Sequence, residues 1–322
     1  MGCSPMILIT AGDPAGIGPE VTVKALRRIN HPVTVIGSIR ALRRACDICG
    51  IDMRFTEVTE PRILPDSFPV IDPGDVEIPR AGPTPQGGLH SYLCIKRASE
   101  IILQGKADAL VTGPVSKEAI NMAGIPFRGH TELLAELAGV RRTKMLLYLD
   151  ELRVAHVTTH ISLREVPDVL SEEEIVFTAE QTFAFLERLG ESGRIGIASL
   201  NPHAGEGGLF GNEEISIIRP AVEKLRELGY DVEGPIPADT IFLRALRGEF
   251  RAVVAMYHDQ GHIPVKLLGF NRAVNVTLGL PYVRTSVDHG TAYDIAGSCL
   301  ADEGSMVNAI SLARRLSGRE HA

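Results

Sequence analysis

The chain has 322 residues and a net charge of -7, with 44% hydrophobic and 23% charged residues. That length supports one large two-lobed unit or two modest domains, with the composition of a soluble globular protein. With no basic stripe, 5% aromatic residues and no tryptophan, nucleic-acid binding has little support, and no apolar run reaches the length of a membrane helix. The start, Met1 to Met6, lacks the charged and apolar regions of a signal peptide. Five scattered cysteines fit reduced thiols, so the expected compartment is the cytoplasm.

In chain order, short apolar and β-branched runs predict strands at Met6–Thr10, Val33–Ile36, Ala109–Thr112, Met145–Leu149, Val154–Thr159, Ile195–Leu200, Val253–Tyr257 and Ala273–Thr277. Between them, helical patterns are expected at Glu20–Arg28, Leu89–Leu103, Glu172–Leu189, Glu213–Leu228, Asp239–Leu246 and Ser305–Leu316. In the fourth of these, Ile215, Ile218, Val222 and Leu225 recur at helical spacing. The Pro- and Gly-rich stretch Ile71–Gly88 reads as a long loop. Cys46-Asp-Ile-Cys49 closes another helical stretch that Gly50 stops; with no second pair for zinc, it reads as a coincidence at a helix end. The alternation argues for an α/β fold with a largely parallel sheet.

Polar residues cluster just after predicted strands: Gly113-Pro114, His160, His203, and His258-Asp259. Ligands of open α/β sheets bind outside the carboxyl ends of strands, so these ends are expected to share a cleft. Three neutral imidazoles, His160, His203 and His258, would leave a divalent cation its charge and open positions. Single histidines at strand ends are also often merely hydrogen-bonded, and spacing leaves both readings open.

Two glycine-rich turns stand out. Thr10-Ala-Gly-Asp-Pro-Ala-Gly-Ile-Gly-Pro-Glu20 is neither Gly-x-Gly-x-x-Gly nor a P-loop; it reads as a tight turn with Pro19 in the first helical turn. Asn201-Pro-His-Ala-Gly-Glu-Gly-Gly-Leu-Phe-Gly211 would let backbone approach a ligand closely. From Lys266 to Gly297, the residues Lys266, Asn275, Arg284, Asp288, His289 and Thr291 could hold a phosphate, carboxylate or nucleotide.

Together these motifs resemble the 4-hydroxythreonine-4-phosphate dehydrogenase family of vitamin B6 (pyridoxal phosphate) biosynthesis. The likeness runs through Ile9–Glu20, Val111–Lys117, Gly129–Glu132, Asn201–Glu206, Gly234–Thr240, Tyr257–Gly261 and Leu278–Ala292. It implies a single catalytic chain, residues 1–322, of two interleaved α/β subdomains. The implied architecture is α/β/α, like isocitrate and isopropylmalate dehydrogenases, with a cleft between the subdomains. The family is a homodimer with active sites at the subunit interface. By this resemblance His160 and His203 hold a divalent metal (Zn, Mg, Co or Mn), with His258 from the partner chain. His130, Thr131, Lys266, Asn275 and Arg284 bind the substrate and its phosphate. His289, Gly290, Thr291 and Asp294 lie in a segment similar to the adenosine loop of decarboxylating dehydrogenases, implying NAD, with NADP as an alternative.

One stretch departs from the biosynthetic pattern. After Tyr257-His-Asp-Gln-Gly261 comes His262-Ile-Pro-Val-Lys266 rather than Leu-Pro. This version looks more like the branch acting on D-threonate or D-erythronate 4-phosphate, and His262 would read the substituent at C2. The implied reaction is oxidation at C3 followed by decarboxylation of the β-keto acid. Asp239 and Lys266 are the candidate proton acceptors, and the metal acidifies the alcohol. A phosphate acyltransferase on a related fold, or a ligand sensor without catalysis, are the competing readings.

Overall fold

Runs such as Ile7-Leu8-Ile9-Thr10 and Val33-Thr34-Val35-Ile36 lack polar alternation, the pattern of strands covered on both faces. In the computed structural model both are strands with every residue buried. The structure describes residues 4–77 and 81–318. In chain order the elements are β1 (Ile7–Thr10), α1 (Gly18–Leu26), β2 (Val33–Ile36), α2 (Ile39–Cys49), β3 (Phe55–Glu57), β4 (Phe68–Ile71), α3 (Pro85–Leu103), β5 (Ala109–Thr112), α4 (Lys117–Met122), α5 (His130–Ala138), β6 (Lys144–Tyr148) and β7 (Arg153–His156). There follow α6 (Val166–Val169), α7 (Glu172–Leu189), β8 (Ile195–Ala198), α8 (Arg219–Glu227), β9 (Val232–Ile236), α9 (Ala238–Leu246), β10 (Ala252–Ala255), α10 (His258–Gly269), β11 (Val274–Leu278), β12 (Val283–Ser286) and α11 (Gly304–Ser317).

The chain divides into two compact units, Met1–Thr143 with Leu280–Ala322, and Lys144–Gly279. In the first unit the strands run in the order β3-β4-β2-β1-β5-β12, every neighbouring pair parallel. Leu8, Leu110, Ile95 and Ile101, none of them exposed, anchor its core between sheet and helices. In the second unit the order is β11-β6-β7-β10-β8-β9. There β11–β6 and β6–β7 are antiparallel and the remaining pairs parallel, so the expected parallel sheet holds only in part. Its core gathers Leu147, Val154, Ile241, Val253 and Val265.

Most of the predicted elements form within a residue or two of their expected ends. Helix α7 has the predicted bounds because Ser171 caps Glu174 N and three glutamates occupy the first turn, where the helix dipole favours them. The expected single helix Glu213–Leu228 is instead a π-helical turn, Glu214–Ile218, running into α8. Pro220 lacks the N–H that an unbroken α ladder would require there. Helix α10 was not foreseen, because Gly261 and Pro264 interrupt its pattern.

Gly88 shows how tightly the helices of the first unit are set. A Cβ there would lie 2.0 Å from the carbonyl oxygen of Ala119, joining α3 to α4. Gly88→Ala must push these helices apart and should cost about 1–3 kcal/mol, as overpacking usually does. Urea denaturation checks this; a loss below about 0.5 kcal/mol, the range of a neutral surface change, would show that α4 yields freely.

Candidate active site

In the first unit, the turn after β1 is held from within. Asp13 is 1% exposed. Its carboxylate accepts the Ala15 N–H at 2.8 Å and the Tyr293 hydroxyl at 2.7 Å. Burial raises its pKa, against the pull of these two bonds. Gly12, at φ +81°, admits no side chain, since a Cβ would meet Pro114 O at 2.3 Å. The turn in turn holds the segment after β12. Ile17 N donates to Thr291 O at 2.9 Å. The buried Glu20 carboxylate accepts the backbone N–H groups of Gly297 and Cys299. The glycine-rich turn thus fixes the candidate cofactor loop, which carries His289, Gly290, Thr291 and Asp294. His289 Nδ1 lies 3.1 Å from Gly290 O, and Asp294 is exposed.

The same unit gathers the candidate substrate residues Arg284, His130 and Thr131. Arg284 lies on β12, 3% exposed, and donates to the Thr112 hydroxyl at 2.6 Å. Burial lowers its pKa to about 10, with Tyr282 and Glu132 pulling the other way. His130 opens α5, behind Gly129. Its Nε2 is buried and makes no hydrogen bond. Burial of the ring, then the charges of Arg284 and Lys117, lower its pKa to about 3. Thr131 follows on the same first turn. Lys117 belongs to this group through its charge, and the sequence reading did not assign it a role.

In the second unit, β7, β10 and β8 lie side by side and parallel, and His160, His258 and His203 each follow the carboxyl end of one of them. The His160 and His258 rings are 5.7 Å apart, beside a cavity of about 260 Å³ lined also by Thr159, Tyr257 and Asp259. His258 Nδ1 sits 2.7 Å from Asp259 Oδ1. His203 is highly exposed, faces Glu206 Oε2 at 3.4 Å and packs edge-on against Phe210. Among the described residues no three His, Cys, Asp or Glu side chains of one chain converge as a metal site. Asp239 is exposed, Asn275 is half-buried on β11, and the half-buried Lys266 lies over the Phe270 ring at 5.4 Å.

His262 is not beside an open surface. It is 6% exposed, and its ring stacks on that of His258 with centroids 3.5 Å apart and planes 13° from parallel. Behind it lies His156, fully buried, which faces Met145 O through Nδ1 at 3.3 Å and His262 Nδ1 through Nε2 at 3.1 Å. A neutral His156 that donates to Met145 O must accept at Nε2, so His262 donates. His262, which the sequence suggested as a reader of the substrate, is a buried ring that backs His258. Gly261 permits the arrangement: a Cβ there would meet His156 Nε2 at 2.4 Å. Gln260 ties the turn down, accepting Met256 N at 2.6 Å and donating to Ser199 O at 2.7 Å.

The sequence reading also missed Glu214. It is fully buried; Oε1 accepts the N–H groups of Leu200 and Asn201 at 2.8 and 2.7 Å, and Oε2 accepts Asn201 Nδ2 at 2.9 Å. Beyond Asn201 the backbone is left-handed from His203 to Gly207, including His203, Ala204 and Glu206 at φ 53°, 54° and 42°. Such non-glycine residues cost about 1–3 kcal/mol each and persist only where the surroundings over-determine them. The π turn that begins at Glu214 brings the carboxylate to the loop, as such turns do at functional sites. One further correction concerns the thiols: Cys49 and Cys299 form a disulfide, while Cys46 and Cys94 are free and buried.

These features define an α/β protein with a buried arginine near His130 and Lys117 in one unit and clustered histidines at strand ends in the other. The pattern of the family described as pyridoxal phosphate biosynthetic protein PdxA matches residues 28–313, and the chain belongs to that family. It is 48% identical to the D-threonate 4-phosphate dehydrogenase of Salmonella typhimurium, over 97% of this chain and 98% of that one. It is 44% identical to the 4-hydroxythreonine-4-phosphate dehydrogenase of Geobacter metallireducens, over 97% and 96%. A crystal structure of 4-hydroxythreonine-4-phosphate dehydrogenase from Klebsiella pneumoniae superposes with a TM-score of 0.89 at 43% identity, covering 98% of this chain and all of that one.

Burial, then the neighbouring His262, lowers the His156 pKa from 6.5 to about 3. The unfolded chain takes up a proton below about pH 6.5 that the native chain refuses, so stability present above that pH is lost as pH falls toward about 3. In His156→Asn this loss should be shallower by one proton, about 1.4 kcal/mol per pH unit. Urea midpoints at stepped pH measure the slope, and equal slopes would mean that the native ring titrates normally. Glu214→Gln keeps an acceptor for the two backbone amides but sets an NH₂ group against Asn201 Nδ2. It should destabilise the protein by about 1–3 kcal/mol, seen as a lower denaturation midpoint; a neutral result would remove Glu214 as the anchor of the loop.

Proposed function

We propose that this protein is an NAD-dependent dehydrogenase that oxidises, and so decarboxylates, a 4-phosphorylated four-carbon sugar acid of the D-threonate or D-erythronate type. The observation that carries the reading is the Arg284 group: a buried guanidinium beside a ring kept neutral, with Lys117 and the first turn of α5 adjoining. Such a group suits a dianionic phosphate, because a buried cation binds an anion far more strongly than an exposed one. Whole-length likeness to a D-threonate 4-phosphate dehydrogenase supports the substrate class. His262, in place of the Leu-Pro of the biosynthetic pattern, supports the sugar-acid branch. The second reading is 4-hydroxythreonine 4-phosphate, which carries an ammonium group at C2 and is favoured by the likeness to the Geobacter protein.

In this reading Arg284, His130, Thr131 and Lys117 hold the phosphate, and Lys266 and Asn275 complete the substrate contacts. His289, Gly290, Thr291 and Asp294 take the adenosine part of NAD, or NADP. The histidines suit a divalent cation (Zn, Mg, Co or Mn) in kind: His258 Nδ1 faces Asp259, as carboxylates orient ligating imidazoles, and His203 stands exposed. His160 and His203 would hold it with His258 of a second copy, in a homodimer related to the isocitrate dehydrogenases, with the site in a cleft. When bound, the cation supplies a Lewis acid that acidifies the alcohol and stabilises charge as carbon dioxide departs. The chain's part is to fix the C3–H bond toward the nicotinamide and to accept the hydroxyl proton at Asp239 or Lys266. NAD, when held there, would supply the hydride acceptor for C3, and the resulting β-keto acid would lose carbon dioxide and take up a proton to give dihydroxyacetone phosphate.

NADH formation by the metal-supplemented enzyme, with D-threonate 4-phosphate, D-erythronate 4-phosphate and 4-phosphohydroxy-L-threonine in parallel, tests the substrate. A preference for the sugar acids of about tenfold or more in kcat/KM, about 1.4 kcal/mol of transition-state binding, is expected. A preference for the amino acid would move the enzyme to the biosynthetic branch. His160→Ala should lose both metal content and turnover while keeping the wild-type denaturation midpoint. Retained metal with turnover would end the metal assignment.

A further inference from the structure

The Cys49–Cys299 disulfide joins two segments of the first unit that lie 250 residues apart in sequence. Cys49 ends α2, just before Gly50 at φ +61°, and Cys299 ends the irregular segment that begins at His289. From Asp13 to Lys24 the chain holds that segment by several polar contacts: Tyr293 on Asp13, Ile17 on Thr291, and Glu20 and Lys24 around Cys299. Against α2 the segment faces a cleft, with Ala41, Arg44 and Ile48 on one wall and Ala296 and Gly297 on the other. The disulfide ties Cys49, one residue beyond Ile48, to Cys299, two residues beyond Gly297.

Cys299 is prepared for the bond. Its backbone is left-handed, at φ +60°, a costly state for a non-glycine residue. Its N–H donates to Glu20 Oε2 at 2.9 Å and its carbonyl accepts Lys24 Nζ at 3.3 Å. Both contacts are independent of the sulfur, so reduction leaves the two thiols near one another. The pair is half-buried and reachable by a small thiol. Cys46, one helical turn before Cys49, is no rival nucleophile. It is 5% exposed, and burial, with Asp47 and Asp52 adding to it, pushes its thiol up to about 11.

We propose that Cys49 and Cys299 form a reversible thiol–disulfide site that, when oxidised, holds the cofactor loop in its binding form. Its chemistry is independent of the function proposed above; its effect on NAD rests on that reading. Oxidation proceeds by exchange with a small-molecule disulfide. One protein thiolate attacks it, forming a mixed disulfide and expelling one thiolate. The second protein thiolate then attacks the protein sulfur, expelling the other. Two electrons pass to the small-molecule disulfide, and the two protons from the cysteines go to the released thiols. In a reducing compartment a disulfide of this kind is a sensor rather than a staple.

The full-length enzyme is equilibrated in glutathione buffers of graded oxidised-to-reduced ratio, alkylated, digested without reductant and mapped by mass spectrometry. A peptide pair joined through Cys49 and Cys299 should appear and vanish reversibly. If reduction lowers the competent fraction of the loop to about a third to a tenth, the KM for NAD rises by about 3- to 10-fold, with the KM for the sugar-acid phosphate unchanged. Cys49→Ser should behave like the reduced enzyme in every buffer. Absence of the joined peptide at all ratios, or an NAD KM no higher on reduction, overturns the proposal. If no substrate yields NADH in either state, the failure belongs to the functional reading. The latch is then judged by hydrogen exchange in residues 289–303: faster exchange on reduction sustains it, and equal exchange overturns it.

Discussion

Carboxylates taken out of water and surrounded by backbone amides fasten the irregular segments that carry candidate ligands in this chain. Asp13, Glu20 and Glu214 are 1%, 3% and 0% exposed, and each accepts backbone N–H groups. Burying a carboxylate is costly unless hydrogen bonds replace its lost hydration. Several fixed amides can do so, and they simultaneously satisfy donors that a loop would otherwise leave orphaned. A residue in such a position therefore stabilises one loop conformation over all others. Removing it would strand the amides without an acceptor. This constraint explains how strained backbone at His203 and Cys299 can persist, and why the glycine-rich turn after β1 serves as a support.

The regular frame was legible because its physics is local. The aliphatic runs of β1, β2 and β5, and the Ser171 cap of α7, state their own structure. Elements that depend on partners were not. β12 carries a buried arginine and reads as a polar stretch until Thr112 on β5 is placed beside it. β9 contains Gly234-Pro235, which argues against a strand on propensity alone. Helix α10 survives Pro264 because its first turn is fixed by Gln260 and packed closely on β7 through Gly261, neither of which is a helix-forming signal.

The candidate site divides along the same line. Histidines following strand ends could be picked out by position, and three of them do lie at the ends of adjacent parallel strands. Their mutual geometry could not, since ring stacking depends on a tertiary approach of angstroms. His262 illustrates the point. In sequence it stands where a substrate-reading residue is sought; in space it is a buried ring pressed against His258 and bonded to His156. Glu214 gave no signal, because a lone glutamate in a helical pattern is ordinarily a solvated charge.

The disulfide marks the limit of composition as a guide to redox state. An odd number of scattered cysteines in a chain this size reads as free thiols when counted, and for Cys49 and Cys299 that reading fails. What decides pairing is the distance between backbones, and Cys49 and Cys299, 250 residues apart, have Cα atoms 5.4 Å apart. That approach follows from a chain of local causes. Gly50 stops α2 with Cys49 at its end, Glu20 and Lys24 pin Cys299 above α1, and α1 packs against α2. Cys46, in the same apparent pair, faces inward on the amphipathic helix and stays a buried thiol. Cys46-Asp-Ile-Cys49 is therefore a coincidence at a helix end, as its spacing suggested, and the neighbour of Cys49 is set by which face of α2 looks toward the candidate cofactor loop.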